Sequence, residues 1–199
     1  MGTKKVRTEV RQSQILHSAL QIVSEKGLQE LNMVQLAERV GVVPSAVYRH
    51  FAKKEQVLDG IIDLIETRLL ENVAKARSKQ GDSLQCLKRI LEQHAELLVK
   101  NPGIPRLIFS EEFYNSHPER RQRVYQMIRK YLQAIAEIIK QGQRNREIRL
   151  RLDAETLALH FLGIIQPAAI LMHMSGGEFN LKTHVRKAWK ILHDCIQEK

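Results

Sequence analysis

Apolar side chains recur every three or four residues along almost the whole of this sequence, and no useful stretch alternates with a period of two. This spacing gathers apolar residues on one face of an α-helix and leaves polar residues on the other. Strong helix formers dominate, whereas the chain has 5 prolines and 10 glycines among 199 residues. The sequence therefore predicts an all-α fold of about nine helices.

Glycine and proline indicate where these helices end and begin. Gly27 closes a first helix, and Gly41 ends a short second helix whose start is capped by Asn32. Pro44 opens a third helix that reaches Phe51, because the first turn of a helix has no use for the N–H that proline lacks. The predicted helices cover about residues 9–26, 33–40, 44–51, 54–80, 83–100, 104–115, 117–142, 153–174 and 182–197.

The net charge of +10 favours an anionic partner, because each neutralised phosphate releases condensed counterions. Residues 1–55 carry 9 Lys and Arg against 5 Asp and Glu, and residues 118–151 carry 10 against 3. Because the excess lies in both places, charge alone does not locate a nucleic-acid site.

Several classes of protein are disfavoured by what the sequence lacks. Cys86 and Cys195 lie far apart without a C-x-x-C partner, so we expect no disulfide, no metal site and no cofactor. The longest apolar stretch, residues 161–174, is interrupted by polar residues, and the N-terminus lacks the apolar core of a signal peptide. No catalytic motif is recognisable. We expect a cytoplasmic protein without membrane contact that is not an enzyme.

The segment from Met33 to Phe51, MVQLAERVGVVPSAVYRHF, has the spacing of a helix-turn-helix. Ala37 provides a small residue where the two helices cross, and Gly41 tolerates the left-handed backbone of the turn. Residues 48–50, Tyr-Arg-His, remain on the outer face, where they suit phosphate and base-edge contacts in a major groove. The apolar residues expected to point inward are Leu36, Val40, Val42, Val47 and Phe51.

Residues 10–55 resemble the TetR family of bacterial regulators. The match includes the LAERVGV segment of residues 36–42, the Tyr-Arg-His-Phe string of residues 48–51 and the Lys-Lys-Glu of residues 53–55. The resemblance implies a helix-turn-helix domain over residues 1–55 and a helical domain for ligand binding and dimerisation over residues 56–199. It also implies a homodimer on a palindromic operator in double-stranded DNA, with the last two helices forming the subunit interface.

The resemblance further implies individual roles in DNA binding. Tyr48 and His50 would contact phosphate, and Lys54 would hold phosphate at the start of the next helix. Ala46 stands where Thr is frequent, so it offers a thymine methyl contact but no hydrogen bond. A basic tail (Lys4, Lys5, Arg7 and Arg11) would reach the backbone or minor groove. The predicted DNA-binding residues are Gln35, Pro44, Ser45, Ala46, Tyr48, Arg49, His50, Lys53 and Lys54.

The C-terminal part carries bulky residues with polar tips, which in this family would line a small-molecule site. The predicted ligand-binding residues are His94, Phe109, Phe113, Tyr125, Tyr131, Phe161 and Gln166. The alternative for each of them is an ordinary place in the core.

The last two predicted helices carry the candidate subunit interface. The predicted interface residues are Leu157, Ile164, Ala168, Val185, Ala188, Trp189 and Leu192. The alternative for these residues is packing within one chain.

Two functions fit this pattern. The first is a sequence-specific repressor released from its operator by a small, largely apolar ligand. The alternative is a DNA-binding adaptor of the nucleoid-occlusion type, which recruits a protein partner without a small ligand. A cavity with convergent polar groups would favour the first function, and a C-terminal core filled by side chains would favour the second.

Overall fold

The computed structural model describes residues 8–115 and 117–198, so Lys4, Lys5 and Arg7 of the basic tail lie outside the described residues. Helices dominate the described ranges and no strand occurs in them, which confirms the all-α prediction. The elements are α1 (Thr8–Lys26), α2 (Met33–Val40), α3 (Pro44–Tyr48), α4 (Lys54–Arg77), α5 (Ser83–Lys100), α6 (Gly103–Ile108), a single 3-10 turn (Glu111–Phe113), α7 (Pro118–Arg144), α8 (Ala154–Gly163), α9 (Gln166–Met174) and α10 (Leu181–Ile196).

The structure differs from the prediction where proline interrupts a helical pattern. One helix with a kink at Pro167 was expected over residues 153–174, but α8 ends at Gly163 and α9 begins at Gln166. Pro167 has no N–H to donate to the carbonyl of Gly163, and its ring would clash with that carbonyl. The helix expected over residues 104–115 is also shorter, since α6 ends at Ile108 and only the 3-10 turn follows.

The chain forms two compact units. The first comprises the described residues up to Ile65 together with Asn101–Arg121, and the second comprises Glu66–Lys100 and the described residues from Gln122 onward. The first unit therefore extends beyond residues 1–55, since it includes α6 and the N-terminal half of α4.

In the first unit, α1 packs against both α2 and α6. Gly103 lies directly against the backbone of Leu20, where a Cβ would overlap the carbonyl oxygen. Arg106 Nη1 donates to the carbonyl of Ser24 at 2.9 Å, in the last turn of α1, where free carbonyls and the helix dipole favour a cation. Glycine at the contact and arginine at the helix end thus hold α6 against α1.

A buried arginine joins three further elements of the first unit. The side chain of Arg120 is 3% exposed, and its Nε donates to Asp59 Oδ1 at 3.1 Å. Its Nη1 donates to the carbonyl of Phe113 at 3.1 Å, and the guanidinium lies 5.1 Å from the centre of the Phe113 ring. The charge therefore has hydrogen-bond partners and an aromatic face in place of water.

In the second unit, α5 packs against α10. Aspartate side chains cap two helix starts of this unit. Asp82 Oδ1 accepts from the N–H of Gln85 at 2.7 Å, and Asp153 Oδ1 accepts from that of Thr156 at 2.8 Å. Arg89 Nη2 donates to the carbonyl of Ala76 at 3.1 Å, near the end of α4.

Ala154–Met174, which covers α8 and α9, is the one described segment long and apolar enough by composition to cross a membrane, with a mean hydropathy of 1.6. The segment is longer than the apolar stretch of residues 161–174 predicted from the sequence, because the helical turns before Phe161 are also apolar. The share of the segment buried inside the chain is 39%. Its exposed large apolar side chains are Leu159, Ile170, Leu171 and Met174.

Candidate functional site

The turn between α2 and α3 has the predicted geometry. Asn32 Oδ1 accepts from the backbone N–H groups of Val34 and Gln35 at 3.1 and 2.9 Å, which fixes the start of α2. Gly41 adopts a left-handed conformation with φ 75°, and the N–H of Val42 returns to the carbonyl of Ala37 at 2.9 Å. The two helices are therefore joined by a tight turn that depends on glycine.

The inner side of this motif is apolar, as expected. Leu36, Ala37 and Val47 are almost fully buried, and Phe51 is 8% exposed. The remaining predicted inward residues, Val40 and Val42, are half-buried at the turn. Because α2 and α3 are so short, their orientation depends on these buried contacts rather than on helix propensity.

The outer side of α3 presents polar side chains to solvent. Pro44, Ser45, Arg49 and Lys53 are exposed, and half of Tyr48 is exposed. Within the described ranges, Tyr48 and Arg49 make no side-chain hydrogen bond or ion pair. An unpaired guanidinium and phenol hydroxyl on one surface can contact phosphate oxygens and base edges.

Other predicted DNA-binding residues are less free. Ala46 and His50 are half-buried. Lys54 Nζ donates to the carbonyl of Leu28 at 2.8 Å, which positions the ammonium at the start of α4 and leaves two of its protons for an anion. Gln35 Nε2 lies 3.5 Å from Glu30 Oε2, at the limit of a hydrogen bond. All of these predicted residues lie in the first unit.

Sequence reasoning missed two features of this surface. Arg39 on α2 forms an ion pair with Glu25 on α1. The sequence could not predict this pair, because the two residues lie on different helices. Val34 and Val43 are 52% and 64% exposed beside the polar cluster. They offer apolar contact surface, for example to thymine methyl groups.

In the second unit, the structure brings His94 and Tyr131 together. The Nδ1 of His94 lies 3.1 Å from the Tyr131 hydroxyl oxygen, and the rings meet edge to face with centres 5.4 Å apart. Burial lowers the pKa of His94 to about 4 and raises the pKa of the Tyr131 hydroxyl, so both groups are neutral at pH 7.

The other predicted ligand-binding residues are dispersed. Phe161 is buried, and Gln166 is half-buried at the start of α9. Phe113 belongs to the first unit, where its ring lies under Arg120. Phe109 and Tyr125 are 48% and 51% exposed. Phe109 points outward because it follows the last residue of α6 rather than continuing a helical face.

The predicted interface residues divide into two groups. Four are buried inside the chain, namely Leu157, Ala168, Val185 and Trp189. Ile164, Ala188 and Leu192 are half-buried and line an open apolar groove of about 560 Å³ between α8 and α10, together with His160 and Cys195. Sequence periodicity did not separate the two sides of these helices, because both sides are apolar.

Comparison with known proteins decides the family. Residues 15–61 match the sequence profile of the bacterial regulatory proteins of the tetR family, and residues 50–195 match that of the C-terminal region of YsiA-like proteins. The chain belongs to the TetR family. The predicted resemblance is confirmed, and the protein is a DNA-binding transcriptional regulator of a family whose members bind DNA as dimers.

Relatives and solved structures of the TetR fold cover most of the chain. The nucleoid occlusion factor SlmA of Alteromonas mediterranea is 31% identical over 144 residues, which are 72% of each chain. The fatty acid degradation regulator FadR of Bacillus halodurans superposes with a TM-score of 0.79 at 19% identity, over 96% of each chain. The FadR of Bacillus subtilis, solved in complex with stearoyl-CoA, gives a TM-score of 0.77 at 20% identity, over 90% of this chain and 96% of that one.

Proposed function

We propose that this TetR-family protein is a homodimeric repressor that binds a palindromic operator through α3 and leaves it when a small, largely apolar ligand binds the second unit. The third helix was expected to reach Phe51, but α3 ends at Tyr48. The observation that carries the DNA-binding role is the exposed Tyr48 at the end of α3 and the exposed Arg49 directly after it, neither of which has a side-chain partner among the described residues. A DNA-binding regulator acts where the chromosome lies, so we propose the cytoplasm as its location.

A subunit interface at α8, α9 and α10 is supported by their exposed apolar surface. Leu159 and Ile191 are 57% and 69% exposed, and Ile191 lines the groove between α8 and α10. Outside the backbone of its own helix and its chain neighbours, no atom of the described residues lies within 4 Å of the position that a Cβ on Gly163 would take, so another helix could approach closely there. Contiguous apolar surface of this kind marks protein interfaces. The same explanation accounts for the high hydropathy of Ala154–Met174 without a membrane.

The proposed ligand site centres on the His94 and Tyr131 pair. Two neutral polar groups inside an apolar core give orientation to a ligand whose remainder is apolar. The Bacillus subtilis FadR structure, which holds stearoyl-CoA, supports long-chain acyl compounds as the first class to test.

The DNA-binding proposal is tested by selecting operators from random duplexes with the full chain. We expect a palindrome with half-sites about one helical turn apart or more, since each subunit of a dimer reads one half-site. Tyr48→Ala and Arg49→Ala should each weaken operator binding about tenfold or more, and Arg49→Ala should also reduce the salt dependence because it removes a positive charge.

Tyr125→Ala is the matched control, because Tyr125 is equally exposed but lies in the second unit. If the Tyr48 and Tyr125 substitutions weakened operator binding equally, the proposal that α3 binds the operator would be contradicted. Retention of every duplex without sequence preference would show that charge alone drives binding.

A second function, the nucleoid-occlusion type of adaptor, is favoured by one observation. His94 and Tyr131 hydrogen-bond each other, so the pair needs no ligand to satisfy its buried polar groups. The SlmA relative agrees with this alternative. Titrating the operator complex with stearoyl-CoA separates the two functions: dissociation supports the ligand-responsive repressor, and an unchanged complex across a series of acyl chain lengths supports the adaptor.

A further inference from the structure

The connection between α7 and α8 is fixed firmly to the second unit. Glu147 accepts a hydrogen bond from the backbone N–H of Ser83 at 2.8 Å. Gln143 Nε2 donates to the carbonyls of Arg149 and Leu152 at 3.1 and 2.7 Å. Ile148 is fully buried and pairs with Gln197 in an isolated antiparallel bridge. Residues 144–152, which we call the arginine loop, therefore have a defined conformation.

The arginine loop carries an excess of positive side chains. It contains four arginines and one acid, Glu147, which already binds Ser83. Arg144 donates to the Gln141 side chain and Arg149 to a backbone carbonyl, so both keep their charge. No arginine of the loop forms an ion pair with a carboxylate within residues 8–115 and 117–198.

The arginine loop also exposes one large apolar side chain. Leu150 is 70% exposed between Arg149 and Arg151, although the loop buries Ile148 completely. Arg146 adopts φ 60° because it closes α7, where the N–H groups of residues 146 and 147 return to the carbonyls of residues 143 and 142. This closing turn fixes the start of the loop and leaves the Arg146 side chain exposed.

We propose that the arginine loop is a docking surface for an acidic segment of another protein whose apolar side chains cover Leu150. An apolar centre with a charged rim is the usual anatomy of a protein interface, and its rigidity lowers the entropy that binding costs. Duplex DNA offers phosphates for the arginines but little apolar surface for a leucine. This docking goes beyond the proposed function, since it requires neither the operator nor a small ligand.

The test is selection of a random-peptide phage library on the full-length dimer, followed by binding measurements with the enriched peptides at low and high salt. We expect acidic peptides that contain large apolar residues and bind more weakly at high salt. The double variant Leu150→Ser with Arg151→Glu should weaken their binding about tenfold or more.

The control is the double variant Val99→Ser with Lys88→Glu, which makes the same kinds of change at exposed positions of α5. Enriched peptides without acidic character, or peptides that bind the loop variant as tightly as the control, would overturn the proposal. So would a loop variant with tenfold weaker operator binding, which would assign the surface to DNA. A loop variant that sediments as a monomer would assign it to the subunit interface.

Discussion

At the scale of single residues, two buried polar side chains depend on partners that the sequence does not reveal. His94 meets Tyr131 from 37 positions away, and Arg120 meets Asp59 from 61 positions away. The periodicity that placed His94 on an apolar face could predict its burial. It could not predict which group would satisfy the imidazole, because that depends on how the helices pack.

The buried imidazole gives stability a pH dependence. Because the pKa of His94 falls to about 4 in the folded chain from its ordinary value near 6.5, the unfolded chain binds more protons between these values. Above pH 6.5, the free energy of unfolding includes the full contribution of His94. This free energy falls by about 3 kcal/mol as the pH falls towards 4. Urea unfolding at fixed protein concentration across this pH range measures the loss.

His94→Asn should remove this component of the pH dependence, and His173→Asn, at an exposed position, should keep it. Identical pH profiles for the wild type and His94→Asn would contradict the assignment.

The Arg120 contacts predict a difference between neighbouring arginines. Arg120→Met leaves Asp59 and the carbonyl of Phe113 without this donor, and should lower the free energy of unfolding by about 2 kcal/mol. Arg121→Met, at an exposed position, should change it by less than about 0.5 kcal/mol. Chemical denaturation of both variants checks the difference, and equal values would show that the buried contacts of Arg120 add no stability.

At the scale of elements, local signals predicted starts and turns better than interruptions. Asn32 caps α2 as predicted, because a cap depends on residues within one turn. A kink was expected at Pro167 within one helix, whereas the structure ends α8 at Gly163 and starts α9 at Gln166. A proline can either kink a helix or end it, and the surrounding packing decides between these outcomes.

At the candidate site, too, the sequence predicted local features but not contacts between distant elements. The outward position of Tyr48 and Arg49 followed from the spacing of the buried residues around them. The bond from Lys54 to the carbonyl of Leu28 did not, because it joins α4 to the segment after α1.

The turn before α3 can be tested through its backbone alone. Apart from the two chain neighbours of Gly41, no atom in residues 8–115 and 117–198 lies within 4 Å of the position that a Cβ on Gly41 would take, so Gly41→Ala adds strain without a clash. We expect a loss of about 1–2 kcal/mol in stability, because φ 75° is unfavourable for alanine. Gly41→Asn should lose less, since asparagine tolerates this region. Thermal unfolding compares the two, and equal losses would show that the φ value is not the cause.

At the scale of the whole molecule, the proposed subunit interface at α8 and α10 can be tested through its exposed apolar residues. Leu159→Glu combined with Ile191→Glu should convert the proposed dimer into monomers, because an interface does not accept unpaired charges. The variant should also lose operator affinity, since a monomer can bind only one half-site of the operator. Sedimentation velocity measures the mass. Val99→Glu is the control, and a dimer that survives both Leu159 and Ile191 substitutions would place the interface elsewhere.

The contact of α6 with α1 also limits which substitutions this chain can accept. Where Gly103 meets the carbonyl of Leu20, the helices leave no room for even one methyl group. A fully randomised codon at position 103 should therefore return glycine alone under selection for a folded first unit. The buried positions of Ile104 and Leu107, which need an apolar side chain, should accept other aliphatic residues. The residue without a side chain is thus harder to replace than these larger neighbours.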